Sequence, residues 1–176
     1  SPSGEIFNSG YKDTGVLAKV THTVGSGFLS VGYQGDGGRD IERPRNNSRT
    51  VRFFYPEENS NRFTAEYDKP DVGPFEELGL NLFYGRYSQV TDQDRFATAT
   101  TARSVDRAAI SANDFQFRGY ARRSLGDARW ELGVDVNGRA GLRALDIFER
   151  YTLAGALTTT ENVSIDSARR LDSAVY

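Results

Sequence analysis

The 176-residue chain has no cysteine and no methionine, a single histidine and a single tryptophan. Without cysteine, disulfide frameworks, thiol catalysis and cysteine-type zinc sites are excluded together. The lone His22 stands beside a short turn, with no Ser or Asp at a spacing that builds a nucleophile relay, so it reads as a solvated strand-end residue. Long hydrophobic runs are missing too: no stretch of about 18–20 apolar residues is available for a membrane helix. That test is blind to a β-barrel, in which only every second strand residue meets lipid. Charge of one sign is also lacking, with 22 Lys and Arg against 24 Asp and Glu and a net charge of -2. The basic residues are spread along the chain, so the electrostatic footprint of nucleic-acid binding is absent. The opening "SPSGEIFNSG" carries neither an initiator methionine nor a basic, apolar leader, and reads as a processed product or an excerpt.

Period-two alternation recurs down the chain, one parity apolar and the other polar. Val16, Ala18 and Val20 share a parity, as do Leu29, Val31 and Tyr33, then Phe63, Ala65 and Tyr67. Leu78, Leu80, Leu82 and Tyr84 follow, with Phe83 as an exception on the polar side. Phe115, Phe117, Gly119 and Ala121 come next, then Trp130, Leu132, Val134 and Val136 from "ARWELGVDVNGR". These are six strands, and a seventh begins near "LDSAVY".

The connections alternate between brief and extended. "VGSG", "KPDVGP" and "SLGD" are tight Gly or Pro/Gly turns. Residues 35–60, 88–111 and 138–164 are rich in Gly, Asn, Asp, Ser, Thr and Arg, and read as loops far longer than the usual connection of about 4–6 residues. The pattern predicts an all-β, antiparallel up-and-down meander with short turns at one end and long loops at the other, residues 1–176 forming one sheet segment.

Alternation alone fits a soluble antiparallel barrel or sandwich as well as a membrane barrel. Two features favour lipid on the apolar side. The strands suit a tilted bilayer crossing of about 9–11 residues. The aromatics of that parity also gather at the strand ends: Tyr67 and Trp130 toward the short turns, Tyr33, Phe63, Tyr84 and Phe115 toward the long loops, with aliphatic and small residues between. On the opposite parity, Glu66, Glu77, Asn81, Gln116, Arg118, Glu131, Asp135 and Asn137 suit a wet interior, and Gly79, Gly85, Gly119 and Gly133 leave room on the strands. Arg118, Arg122 and Arg139 are expected to pair with carboxylates across strands rather than touch a ligand.

With its phrases "GFLSVGYQGDGGRDIERP", "RFTAEYD" and "DARWELGVDVNGR", the whole chain resembles a stretch from the barrel of a TonB-dependent outer-membrane receptor. The resemblance implies part of a transmembrane β-barrel of about 22 strands around a plug. It implies a bacterial outer-membrane location and uptake of a scarce nutrient such as a ferric siderophore, haem or a similar chelate. The implied partners are the lipid bilayer, the cargo, and the plug domain and TonB complex of the full-length receptor. The plug is then the other expected partner of Arg118, Arg122 and Arg139. The haem-receptor loop phrases FRAP and NPNL are absent, which leaves the cargo open. A passive porin, an adhesin-type barrel and a soluble ligand-binding β-barrel remain the alternatives.

Recognition belongs in the long loops. "SRTVRFFYPEENSNR" sets Arg49 and Arg52 beside Phe53, Phe54 and Tyr55, residue types that clasp an anionic, partly aromatic chelate by guanidinium hydrogen bonds and ring stacking. Arg95 and Phe96 of the next loop join this candidate site, with Arg103 and Arg107 beyond them. The plain alternative is that these residues extend a strand and pack loop against loop. "DGGRD" and "TDQD" are acidic clusters without the full ligand ladder of a calcium loop, and no glycine-rich phosphate cradle precedes a helix. No catalytic residue, cofactor or metal ligand is therefore assigned.

Overall fold

The structure, a computed structural model, describes residues 9–44 and 48–176. Among the described residues there are strands β1 (Lys12–Val24), β2 (Gly27–Arg43), β3 (Val51–Val72), β4 (Phe75–Arg95), β5 (Ser104–Leu125), β6 (Ala128–Tyr151) and β7 (Leu157–Val175), and no helix. They form one antiparallel sheet in the order β1-β2-β3-β4-β5-β6-β7, open at both edges. The short turns are residues 25–26, 73–74 and 126–127. Each begins with a glycine at positive φ, Gly25 at 64°, Gly73 at 58° and Gly126 at 61°, as two-residue hairpins require.

The opposite end differs from the sequence reading. Only residues 44–50, 96–103 and 152–156 connect strands there, and the rest of the supposed long loops is ladder-paired strand. The seventh strand likewise runs from Leu157, well before "LDSAVY". Polar composition hid these extensions because strand pairing joins backbone groups, and Asn, Asp and Ser offer the same N–H and C=O as valine.

Residues directly opposite in a ladder share a face. Tyr33, Phe63, Tyr84 and Phe115 stand in one unbroken row across β2 to β5. The next row toward the turns is Val31, Ala65, Leu82, Phe117 and Val136, and the one after it is Leu29, Tyr67, Leu80, Gly119 and Val134. The apolar parities read from six separate strands thus merge into one continuous apolar face. Among the described residues nothing covers it: Leu82 is 51% and Leu132 58% exposed, and the only buried apolar side chain is Ala112. The aromatic rings at the two ends are unequal. Tyr33 and Phe63 lie 4.8 Å apart and Phe63 and Tyr84 6.5 Å apart, a contiguous belt. Tyr67, by contrast, faces Leu80, and Trp130 faces Arg123, so the turn end has no such row.

The strand glycines do not leave empty space. A Cβ on Gly85 would lie 2.9 Å from the Phe83 ring, one on Gly133 2.5 Å from the Tyr176 ring, and one on Gly79 inside the Tyr120 ring. A Cβ on Gly119 would lie 3.3 Å from both Leu80 and Phe117. Rings lie flat over these positions because the missing side chain lets them reach the backbone, the cover that sheet glycines gain from aromatic neighbours. This also accounts for Phe83, the aromatic on the polar parity.

Candidate functional site

The polar face carries a connected charge network. Arg122 sits between Glu77 and Glu131, at 3.0 and 2.7 Å, and Arg118 bonds the same Glu131 at 3.1 Å. The Tyr120 hydroxyl donates to Asp68 and Glu77, and Arg139 forks onto Asp114 at 2.6 and 3.0 Å. Arginines 118, 122 and 139 thus pair with carboxylates across strands. Beside the Arg139 fork lies a groove of about 730 Å³, lined by Phe83, Gln116, Asn137, Arg170 and Asp172 among others.

Above the aromatic row both faces of the sheet turn polar, and the sequence-derived site residues divide between them. β3 carries an extra residue between Phe54 and Glu57 relative to β4, which resets its parity there. Arg52 and Phe54 consequently stand opposite Asp94 and Asp92, on the face continuous with the apolar band. The Arg52 guanidinium lies 4.1 Å from the centre of the Phe54 ring and bonds Glu42 at 2.9 Å. On the same face Arg103 holds Asp94 and Arg107 holds Asp92, each by two hydrogen bonds. Asp92 is only 6% exposed, so its charge is matched where water is scarce.

Phe53 belongs to the other face. Its ring meets that of Tyr55 edge-on at 5.6 Å, and Arg43, its ladder partner, sits 4.9 Å from the Tyr55 ring centre. Arg95 shares this face through the row Val51, Arg95, Ser104, Arg150. Arg95 and Arg150 both reach Asp106 at 2.6 Å. Burial acts to raise the Asp106 pKa, but the hydrogen bonds and charges of the two arginines outweigh it and hold the carboxyl below the usual aspartate range. The ladder from β4 to β5 is unbroken, so this is the face that holds Phe83, Gln116 and Arg118 nearer the turns.

Arg49 is exposed in the connection 44–50. Phe96 is exposed at the start of 96–103, and its N–H donates to the Thr50 carbonyl at 2.8 Å, tying the two connections together. The expected single clasp is therefore two clusters. Phe53, Tyr55 and Arg95 gather on the polar face, Arg52 and Phe54 on the other, with Arg49 and Phe96 at the rim. The polar-face cluster also contains Arg43 and Arg150, which composition did not single out. Arg43 sits in a stretch read as loop, and only the β2–β3 register shows that it meets Phe53. The acidic phrases "DGGRD" and "TDQD" lie wholly within β2 and β4, and no group of side chains suited to a metal ion occurs among the described residues.

No family model, curated protein or solved structure matches the chain.

Proposed function

We propose that the chain is a segment of the wall of a bacterial outer-membrane β-barrel of the TonB-dependent receptor type, and that the whole protein takes up a scarce nutrient chelate without chemical change to it. The observation that carries this reading is the pair of unlike faces. One is apolar across six strands and ends in a belt of rings. The other is a hydrogen-bonded lattice of Arg, Glu, Asp and Tyr. A water-soluble sandwich puts its apolar face against a second layer, and this sheet has none among the described residues. Strands of 21 to 24 residues in β3 to β6 exceed the roughly 9–11 needed to cross a bilayer, so the wall continues beyond it on the long-connection side, the outer one in bacterial barrels.

Cargo recognition belongs on the polar face at that end. Arg95 and Arg150 both hold Asp106 there, and Arg43 lies over the Tyr55 ring beside Phe53. Guanidinium groups next to edge-packed rings suit an anionic, partly aromatic chelate. The plug and the TonB complex complete the proposal as partners, the plug filling the space the polar face surrounds.

Two measurements test it. Trp130, 58% exposed on the apolar face, is quenched by brominated acyl chains when the full-length protein is in a bilayer, its share found by difference with Trp130→Phe. No quenching difference removes the membrane reading. Cells lacking the protein lose energy-dependent uptake of a labelled ferric chelate; undiminished uptake across a panel of chelates points to the passive-porin alternative.

A further inference from the structure

The long-connection edge of the apolar face has a feature that cargo uptake does not use. The hydroxyl of Tyr33 donates to Asn61 Oδ1 at 2.7 Å, and that of Tyr84 to Asn113 Oδ1 at 3.1 Å. Both tyrosines keep their rings in the apolar row and aim their polar tips at the next row outward. That row is Gly35, Asn61, Arg86, Asn113 and Ala140. It contains no carboxylate, and neither does the row beyond it, Gly37, Asn59, Ser88, Ser111 and Arg143.

Arg86 stands in the middle, exposed, directly between the two asparagines. Farther out on this face Arg52, Arg103, Arg107 and Arg143 are each held by an acid. Arg86 has no carboxylate partner among the described residues. Glu57 lies two rows farther out on the same face and accepts from Asn59 Nδ2. The tyrosines occupy the oxygens of both flanking amides, so each Asn presents its N–H groups. Asn113 spends part of that capacity on the Ala140 carbonyl at 3.5 Å, and Asn61 Nδ2 keeps both donors. Ladder neighbours on one face have Cβ atoms about 4.5–5.5 Å apart, a span that one tetrahedral oxyanion bridges.

A cation and amide donors set just outside a belt of rings match one chemistry: the phosphate of a membrane lipid, whose acyl chains lie on the band while its headgroup meets the donors. We infer that Arg86, flanked by Asn61 and Asn113, binds the phosphate of an outer-leaflet lipid headgroup. The inference rests on the membrane reading above and adds to it a specific lipid contact on the outer wall of the barrel, away from the cargo face. An arginine fits better than a lysine because its planar fork engages two phosphate oxygens at once.

The test uses the full-length protein in detergent micelles, with a diphosphorylated, acylated disaccharide lipid as probe and native mass spectrometry as readout. Arg86→Gln lowers affinity roughly tenfold or more, as loss of a charge-assisted hydrogen-bond pair should. Arg86→Lys retains part of the affinity. Arg62→Gln, an exposed arginine on the opposite face, leaves it unchanged. The dephosphorylated lipid binds wild type only as well as the phosphorylated lipid binds Arg86→Gln. Equal affinity of wild type and Arg86→Gln overturns the inference, as does displacement of the lipid by millimolar inorganic phosphate. Resistance to unfolding in SDS certifies that each variant is folded. Trp130 quenching by brominated chains reports separately on the membrane reading, so a protein that is quenched but indifferent to Arg86→Gln loses only this site.

Discussion

The ring of Tyr120 lies flat on Gly79, in the place where any other residue would carry its Cβ, and from there its hydroxyl donates to Asp68 and Glu77. Arg122 lies over that ring, 4.2 Å from its centre. Gly79 thus positions an aromatic plate on which part of the polar-face charge network is assembled. Gly79→Val pushes the ring away from the backbone, and overpacking of this kind costs about 1–3 kcal/mol. Tyr120→Phe keeps the plate and gives up the one O–H proton shared between Asp68 and Glu77, worth about 0.5–1.5 kcal/mol. Urea unfolding of the full-length protein in detergent separates the two, with Gly79→Val expected to disturb Arg122 contacts that Tyr120→Phe preserves.

The unlike faces give a second test. Leu82 and Gln116 occupy neighbouring strands but opposite faces, and both are exposed. In a bilayer, Leu82→Arg destabilises by about 2–4 kcal/mol if it lies near the midplane. Gln116→Arg, toward a wet interior, changes stability by less than about 1 kcal/mol. A water-soluble protein reverses nothing but the magnitude, since an exposed leucine replaced by arginine costs within about 0.5 kcal/mol. Refolding into lipid vesicles across a urea series measures both variants.

Asp106 sets the acid response of the long-connection end of the sheet. Its folded pKa is depressed by Arg150 and Arg95 against the opposing effect of burial. The stabilisation is therefore full above the unfolded aspartate pKa of about 3.9 and is lost as pH falls through the lower, folded value. Amide exchange at the outer ends of β4, β5 and β6, corrected for intrinsic rate, is expected to hold steady from pH 7 to 5 and to rise below about 4. Asp106→Asn raises it from pH 7 to 5, and its difference from wild type vanishes at the acid end.

On the receptor reading proposed above, cargo binding follows the division of the site between faces. Phe53→Ala with Tyr55→Ala weakens binding of an anionic chelate by about tenfold or more, the scale of an aromatic anchor. Arg52→Ala leaves the affinity within about twofold, because Arg52 is on the other face and committed to Glu42. Equilibrium binding to the full-length receptor decides it, and a large loss for Arg52→Ala with none for the aromatic pair would move the cargo site to the outer face.

Strand identity was legible wherever one parity is apolar, from Val16 to Val136, because alternation is a direct image of a sheet with two unlike faces. It failed above the aromatic row, where both faces meet polar surroundings and alternation carries no contrast. Arg43, Phe53, Asp92 and Arg150 lie there, in strands that composition made look like loops. The site suffered more than the fold. Arg52 to Tyr55 are four neighbours in the chain, yet the irregular step between Phe54 and Glu57 and simple alternation send them to two faces. A bulge leaves little trace in composition; Pro56, which cannot donate to a ladder, is the nearest thing to a sign of it. Phe83 looked like an error in the pattern until Gly85 explained it.

Because the order of strands across the sheet is their order along the chain, every ladder joins a strand to the next one translated. No strand has to wait for a distant segment to arrive, and the closure entropy of each step is that of one short turn or one brief connection. Such a ribbon can be laid down hairpin by hairpin, each new strand templated on the free rim of the last. Among the described residues, only its first and final rims, on β1 and β7, meet no further strand.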